Sequence, residues 1–140
     1  MYKVYLAIPR GLDKLLGYVR EDGSVYRSKV GLDDRLGRVD LSSGKIYADR
    51  LGPDKKIGHV DLRSGKVYLS QLGPDRYVGK VGVDGRMHQH VPMASDNYIG
   101  NIDRFVSYAH SAGAMLLLVL PAIESKSEGA ESEQEGDVSE

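Results

Sequence analysis

Apolar and polar residues alternate with period two in short runs, and the runs themselves recur along the chain. Leu16-Gly17, Leu36-Gly37, Ile57-Gly58, Val78-Gly79 and Ile99-Gly100 open five similar rows, with glycine spacings of 20, 21, 21 and 21 residues. The row starting at Leu36 (LGRVDLSSGKIYADRLGPDKK) and the row starting at Ile57 (IGHVDLRSGKVYLSQLGPDRY) match almost position for position. A fixed period of this length marks a repeat architecture in which each unit is one supersecondary element. Val, Ile and Tyr dominate the alternating runs and suit a pleated, half-buried strand. The pattern predicts about five β-hairpins of roughly 21 residues.

The turn chemistry agrees. Glu21-Asp22-Gly23, Ser42-Ser43-Gly44 and Arg63-Ser64-Gly65 fit three-residue hairpin loops in which glycine takes the left-handed position. Asp84-Gly85 in the fourth unit reads as a two-residue type I′ turn. Between hairpins, Gly52-Pro53-Asp54 and Gly73-Pro74-Asp75 are turn signals, and proline ends the strand before it. Gly17, Gly37, Gly58, Gly79 and Gly100 lie inside strand patterns. Glycine weakens a strand unless something approaches closely, so these positions predict tight packing between neighbouring units around a shared axis; the alternative is a plain bulge or bend.

The terminal rows are incomplete in a complementary way. Residues 1–13 hold only the second half of a unit, with Val4-Tyr5 matching Val25-Tyr26. Residues 98–103 hold only the first half, with Ile99-Gly100-Asn101-Ile102-Asp103 matching Ile57-Gly58-His59-Val60-Asp61. Joined, they make one more hairpin. The expected fold is therefore an all-β ring of about five two-stranded hairpins, closed by the N-terminal strand and the strand near residue 100. Closure removes the free edges that an open array would expose.

The repeated Gly-x-Val-Asp…Gly-Lys-Val/Ile-Tyr…Gly-Pro-Asp blocks at 37–54 and 58–75 resemble the β-flower repeat proteins, a family of small bacterial domains with two-stranded petals around a pseudo-symmetry axis. The resemblance covers residues 1–103 and implies an architecture of four contiguous petals and one split petal. It implies no catalytic residue. The fourth unit departs from the pattern, with Val81-Gly82-Val83 and Met87-His88 in place of the Val-Asp-Leu and Val-Tyr blocks.

After residue 103 the period changes. Asp103 is placed to cap a helix starting at Arg104. The 19 residues 105–123 contain no Asp, Glu, Lys or Arg, and Pro121 is expected to end the helix. A helix apolar on every side must be buried. Three burials compete: across a face of its own ring, against a second copy through residues 105–120, or in a membrane. From Glu124 the chain becomes a Ser/Glu-rich tail, 124–140, expected to be disordered and solvating.

Composition narrows the function classes. The 140 residues carry 19 basic and 20 acidic side chains, which gives no electrostatic footprint for nucleic acid. There is no cysteine, so disulfides, thiolate metal sites and a cysteine nucleophile are excluded. The N-terminus lacks the long apolar core of a signal peptide, and a cytoplasmic chain is expected over a membrane-associated one. No glycine-rich phosphate loop and no nucleophile elbow is present.

Nine tyrosines stand against one phenylalanine and no tryptophan. Tyr5, Tyr26, Tyr47 and Tyr68, with His88 in the fifth place, recur with the repeat and form a candidate ligand platform. Tyrosine rings offer apolar area with a hydroxyl that can stay wet; the alternative role is to cover the joints between hairpins. His88 and His90 fall on one side of a strand and could begin a metal or catalytic site, with His59 and His110 as further ligands. Asp40, Asp61 and Asp103 could form a carboxylate ring, or each could bond locally. The reading that follows is a non-enzymatic binding or scaffold module without a cofactor, holding a small hydrophobic ligand or associating with itself. The alternatives are membrane display of the ring through helix 105–123, and an enzyme or metal site at His88/His90.

Overall fold

The structure, a computed structural model, describes residues 1–125; the expected acidic tail lies outside the described residues beyond Ser125. Ten strands form five hairpins' worth of antiparallel ladder: β1 (Tyr2–Leu6), β2 (Lys14–Val19), β3 (Ser24–Arg27), β4 (Asp34–Val39), β5 (Lys45–Ala48), β6 (Lys55–Val60), β7 (Lys66–Leu69), β8 (Arg76–Val81), β9 (Arg86–Gln89) and β10 (Asn97–Ile102). Each strand pairs with its sequence neighbours, and β1 also pairs with β10, so the sheet is a closed barrel. The hairpins are not separate petals; every joint between them is a backbone ladder.

The split hairpin is congruent with the intact ones. Val4 faces Ile102 and Leu6 faces Gly100, as Val39 faces Ile46 and Val60 faces Val67. The backbone N–H groups of Asp40 and Asp61 donate to the carbonyls of Lys45 and Lys66 at 2.8 and 2.9 Å. At the closure the Asp103 N–H donates to the Lys3 carbonyl at 2.9 Å. Here the Asp103 carboxylate also accepts the Lys3 N–H at 2.9 Å. The carboxylates of Asp40 and Asp61 accept the N–H two residues on, at 3.0 and 2.9 Å. One aspartate position thus caps a turn where the chain is continuous and joins the chain ends where it is not.

The apolar–Gly pairs are β-bulges. Val4 pairs with Gly17 but Tyr5 with Leu15, leaving Leu16 extra; the same slip recurs at β3–β4, β5–β6, β7–β8 and β9–β10. A bulge increases local twist and bends the strand, which suits a small closed barrel. It also brings the apolar residue, such as Leu36 or Ile57, against the core beside the glycine. A Cβ on Gly17, Gly37, Gly58 or Gly79 would lie 2.0–2.2 Å from a carbonyl oxygen of the adjacent strand. The close approach expected at these glycines is present.

The turns correct one expectation. Gly82 N–H donates to Arg86 O and Gly85 N–H to Gly82 O, a three-residue loop in which Gly85 has φ of 85° and Asp84 does not have positive φ. A type I′ turn needs positive φ at both central residues. Asp84 instead keeps ordinary φ and accepts the Arg86 N–H on its own carboxylate at 3.0 Å. Around Ser42–Gly44 and Arg63–Gly65 the loop includes Leu41 and Leu62, because Asp40 pairs with Lys45 and Asp61 with Lys66. The turn-glycine carbonyls accept from the next even-numbered strand (Val39 N–H to Gly23 O, 2.9 Å), locking each turn under its neighbour.

The interior is filled by the C-terminal helix. Helix α1 (Tyr108–Ala114) runs on as a π-helical turn (Met115–Val119) and is helical again over 120–125. Residues 109–120 are buried, and the barrel supplies Val4, Val19, Val25, Ile46, Val67 and Met87 around them, each at 0% exposure. Helix side chains reach the strand glycines: a Cβ on Gly79 would meet Met115 Cε at 2.7 Å, and one on Gly37 would meet Leu117 Cδ1 at 3.1 Å.

Two helix expectations are corrected. The N-cap is Ser107, whose side chain accepts the His110 N–H at 3.2 Å, and the helix begins at Tyr108 rather than Arg104. Asp103 is engaged in ring closure. Pro121 does not end the helix. Proline removes one backbone donor and crowds the carbonyl four residues earlier; the π-turn, where Leu120 N–H reaches back to Met115 O, widens the helix just before it.

The burial also bears on the two other roles considered for this segment. No described helix is long and apolar enough to cross a membrane, so display of the ring through helix 105–123 has no spanning element here. Self-association through 105–120 would have to displace the helix from its own barrel. The outer wall carries Lys45, Lys56, Lys66 and Lys80 while the apolar face points inward, the reverse of a lipid-spanning barrel.

Candidate functional site

The barrel has two unlike rims. One holds the tight turns after β2, β4, β6 and β8, and the β10/β1 closure. The other holds the five longer connections, 7–13, 28–33, 49–54, 70–75 and 90–96. The helix enters at the turn rim, where His110 Nε2 lies 2.9 Å from the Glu21 carbonyl, and reaches the connection rim at Pro121.

The proposed platform residues lie on the outer wall, one per hairpin. In each Val-Tyr pair the apolar residue faces the helix at 0% exposure and the next side chain faces outward. The structure does not gather Tyr5, Tyr26, Tyr47, Tyr68 and His88 at the axis. Instead the ring faces of Tyr26, Tyr47, Tyr68 and His88 meet cross-strand neighbours. Tyr26 stacks on Tyr18 at 5.2 Å and carries the Arg20 guanidinium at 4.4 Å. Tyr47 carries Arg38 at 4.3 Å. Tyr68 stacks on His59 at 4.8 Å and meets Tyr77 at 5.6 Å. His88 meets Tyr98 at 5.7 Å. These contacts cover the joints between strands and occupy faces that a planar ligand would need.

Aspartates of the connections tie back to this belt. The Tyr18 hydroxyl donates to Asp33 at 3.0 Å, and Asn101 Nδ2 donates to Asp13 at 3.1 Å. Asp54 lies 3.7 Å from Arg38 Nε, and Asp75 lies 3.0 Å from His59 Nδ1. Burial, then the neighbouring Asp33 carboxylate, raises the Tyr18 phenol above its ordinary pKa. Burial, then Asp96 and Tyr68, does the same to Tyr77. Both act as neutral rings in a structural belt.

His88 and His90 do not converge with other ligands. His90 lies against Tyr77 and 3.4 Å from Asp96, and no group of three metal-ligating side chains occurs among the described residues. Asp40 and Asp61 bond within their own turns, and Asp103 bonds Lys3 across the ring closure. Hydrogen bonds from Ser42 hold the Asp40 carboxyl below the usual carboxylate range, and those from Arg63 and Ser64 do so for Asp61.

A concave site exists where the sequence signalled none. At the connection rim a cleft of about 480 Å³ opens between the helix end and β1–β4. Its walls include Leu6, Leu16, Leu36 and Leu117, with the cations Lys14 and Arg27 also lining it. Arg27 is paired with Asp34 at 3.1 Å, whereas Lys14 has no carboxylate partner among the described residues. Apolar walls with a few convergent polar groups are what a small-molecule site requires. The cleft arises because the bulged Leu16 and Leu36 face inward near the point where the helix passes Pro121. Against known proteins, no family model, curated sequence or solved structure matches this chain.

Proposed function

We propose that the chain is a non-enzymatic binding module of the β-flower type that holds a small amphipathic anion in the cleft at its connection rim. The apolar end of the ligand lies against Leu6, Leu16, Leu36 and Leu117, and its charged end meets Lys14 and Arg27. The supporting observation is that one cleft of about 480 Å³ combines an apolar wall with a cation lacking a carboxylate partner among the described residues. The volume falls within the range of ordinary ligand pockets. The axis itself is filled by the helix, so the ring does not offer a central cavity.

Titration of the full chain with dodecanoate tests the reading. Saturable binding is expected, weakened about tenfold by Lys14→Glu and abolished by Leu16→Trp, which fills the cleft. Absence of binding by the unaltered protein, or equal binding by Leu16→Trp, would remove it.

A further inference from the structure

We propose that the outer wall over β5–β8 binds the phosphate backbone of single-stranded nucleic acid. Twelve Lys and Arg stand in the ten strands against one carboxylate, Asp34. Half of those cations lie in β5–β8, which hold no acid, and all six are exposed: Lys45, Lys55, Lys56, Lys66, Arg76 and Lys80. Lys66 faces Lys80 directly across the β7–β8 ladder, and Lys45 faces His59 across β5–β6. Like charges directly opposite destabilise a sheet, and neither Lys66 nor Lys80 has a carboxylate partner among the described residues. An anion between them removes that repulsion.

The near-neutral total conceals this wall because the acids lie elsewhere. Seven of the 20 follow residue 123, and that segment leaves beside the cleft on β1–β4, which Ser125 lines; β7 stands five strands round the ring from β2. Over residues 45–81, turns and connections included, eight Lys and Arg still stand against four Asp. Those four are engaged: Asp49 with Arg35, Asp54 with Arg38, Asp75 with His59, and Asp61 with the Arg63 N–H of its own turn. Lysine ammonium and tyrosine hydroxyl groups both donate to phosphate oxygens, and Tyr47, Tyr68 and Tyr77 stand among these lysines. Their ring faces are covered by neighbours, so contact runs through the backbone and carries no base preference. The wall curves round four of the ten strands. A duplex, straight over about 50 nm, meets such a convex surface along one tangent, whereas a single strand can follow it. This inference is independent of the cleft ligand.

Fluorescence anisotropy of a labelled oligothymidylate of about 20 nucleotides, titrated with the full chain at low salt, tests the proposal. Saturable binding is expected, with a log–log salt slope of about −2 to −3 for some four phosphate contacts. Lys66→Gln/Lys80→Gln should weaken it at least about tenfold without lowering Tm, because the substitution also removes the facing like charges. Arg10→Gln/Arg104→Gln removes the same charge outside this wall and should change affinity by less than about threefold. A duplex of equal length should bind more weakly, and polyglutamate should displace the probe at least about tenfold less effectively than unlabelled oligothymidylate. No binding, or equal losses in the two double variants, would overturn the proposal. So would a duplex that binds as tightly, or polyglutamate that competes as well, which would make the wall a seat for any acidic chain, residues 124–140 included.

Discussion

Replacing Gly58 by Ala should destabilise the barrel far more than replacing Gly52 by Ala. A Cβ at Gly58 would lie 2.2 Å from the Tyr68 carbonyl oxygen and 2.6 Å from Leu116 Cδ1, whereas ordinary contact begins at 3.4 Å. The leucine methyl can rotate away. The carbonyl belongs to β7 and can retreat only by parting β6 from β7. Overpacking of this kind costs about 1–3 kcal/mol. Loss of one or two ladder hydrogen bonds adds about 1 kcal/mol each. The sum is about 2–5 kcal/mol, with its midpoint at about 3.5 kcal/mol.

Gly52 presents the opposite case. Nothing lies within 4 Å of its Cβ position, but its φ is +86°. Left-handed strain of about 1–2 kcal/mol is partly offset by reduced freedom of the unfolded chain, leaving about 1 kcal/mol. Urea and thermal unfolding followed by far-ultraviolet circular dichroism would measure both. For a domain of this size, Gly58→Ala should lower Tm by roughly 10–20 °C and Gly52→Ala by under about 6 °C. Equal losses, or a milder effect at Gly58, would refute the claim that the strand glycines exist for close approach rather than for φ.

Other outcomes follow from the same contacts. The Asp40 and Asp61 carboxyls are held below their ordinary pKa, so their contribution is present above that ordinary value and lost as pH falls through the depressed one. The urea midpoint should drop in that acid window, less steeply in Asp40→Asn/Asp61→Asn. Met115→Ala, at a 0% exposed position beside Gly79, should cost about 2–5 kcal/mol in the same unfolding assay. Ser111→Ala should be neutral or stabilising by up to about 1 kcal/mol, because Ser111 Oγ is buried without a hydrogen-bond partner among the described residues. A chain ending at Asp103 should lack a cooperative unfolding transition, since it loses the buried residues 109–120 that fill the barrel.

The ring was legible because the two half-units at the chain ends complement each other, and Val4 does pair with Ile102. The strand glycines were legible because glycine has few other reasons to recur inside a strand. The helix cap was not. Asp103 is a good cap by residue type, but its place in the repeat commits it to Lys3, and Ser107 takes the role. The site of helix burial was open because the interior width of a barrel depends on strand number and stagger, which no local pattern encodes. The outward direction of Tyr5, Tyr26, Tyr47 and Tyr68 could have been read from alternation. Each follows an apolar residue, and the apolar one takes the core. The cleft at Lys14 and Arg27 had no local signal, because it forms between segments about 100 residues apart.

Nuclear Overhauser spectroscopy on the full chain addresses ring closure most directly. The Asp103 N–H donates to the Lys3 carbonyl, which places Val4 and Ile102, the next facing residues, at the closer-spaced position of the ladder. A strong cross-peak between the Hα protons of Val4 and Ile102 is the predicted result. If that peak is missing while the intact hairpins show theirs, for example between Val39 and Ile46, the strands form an open ribbon and the barrel described here is wrong.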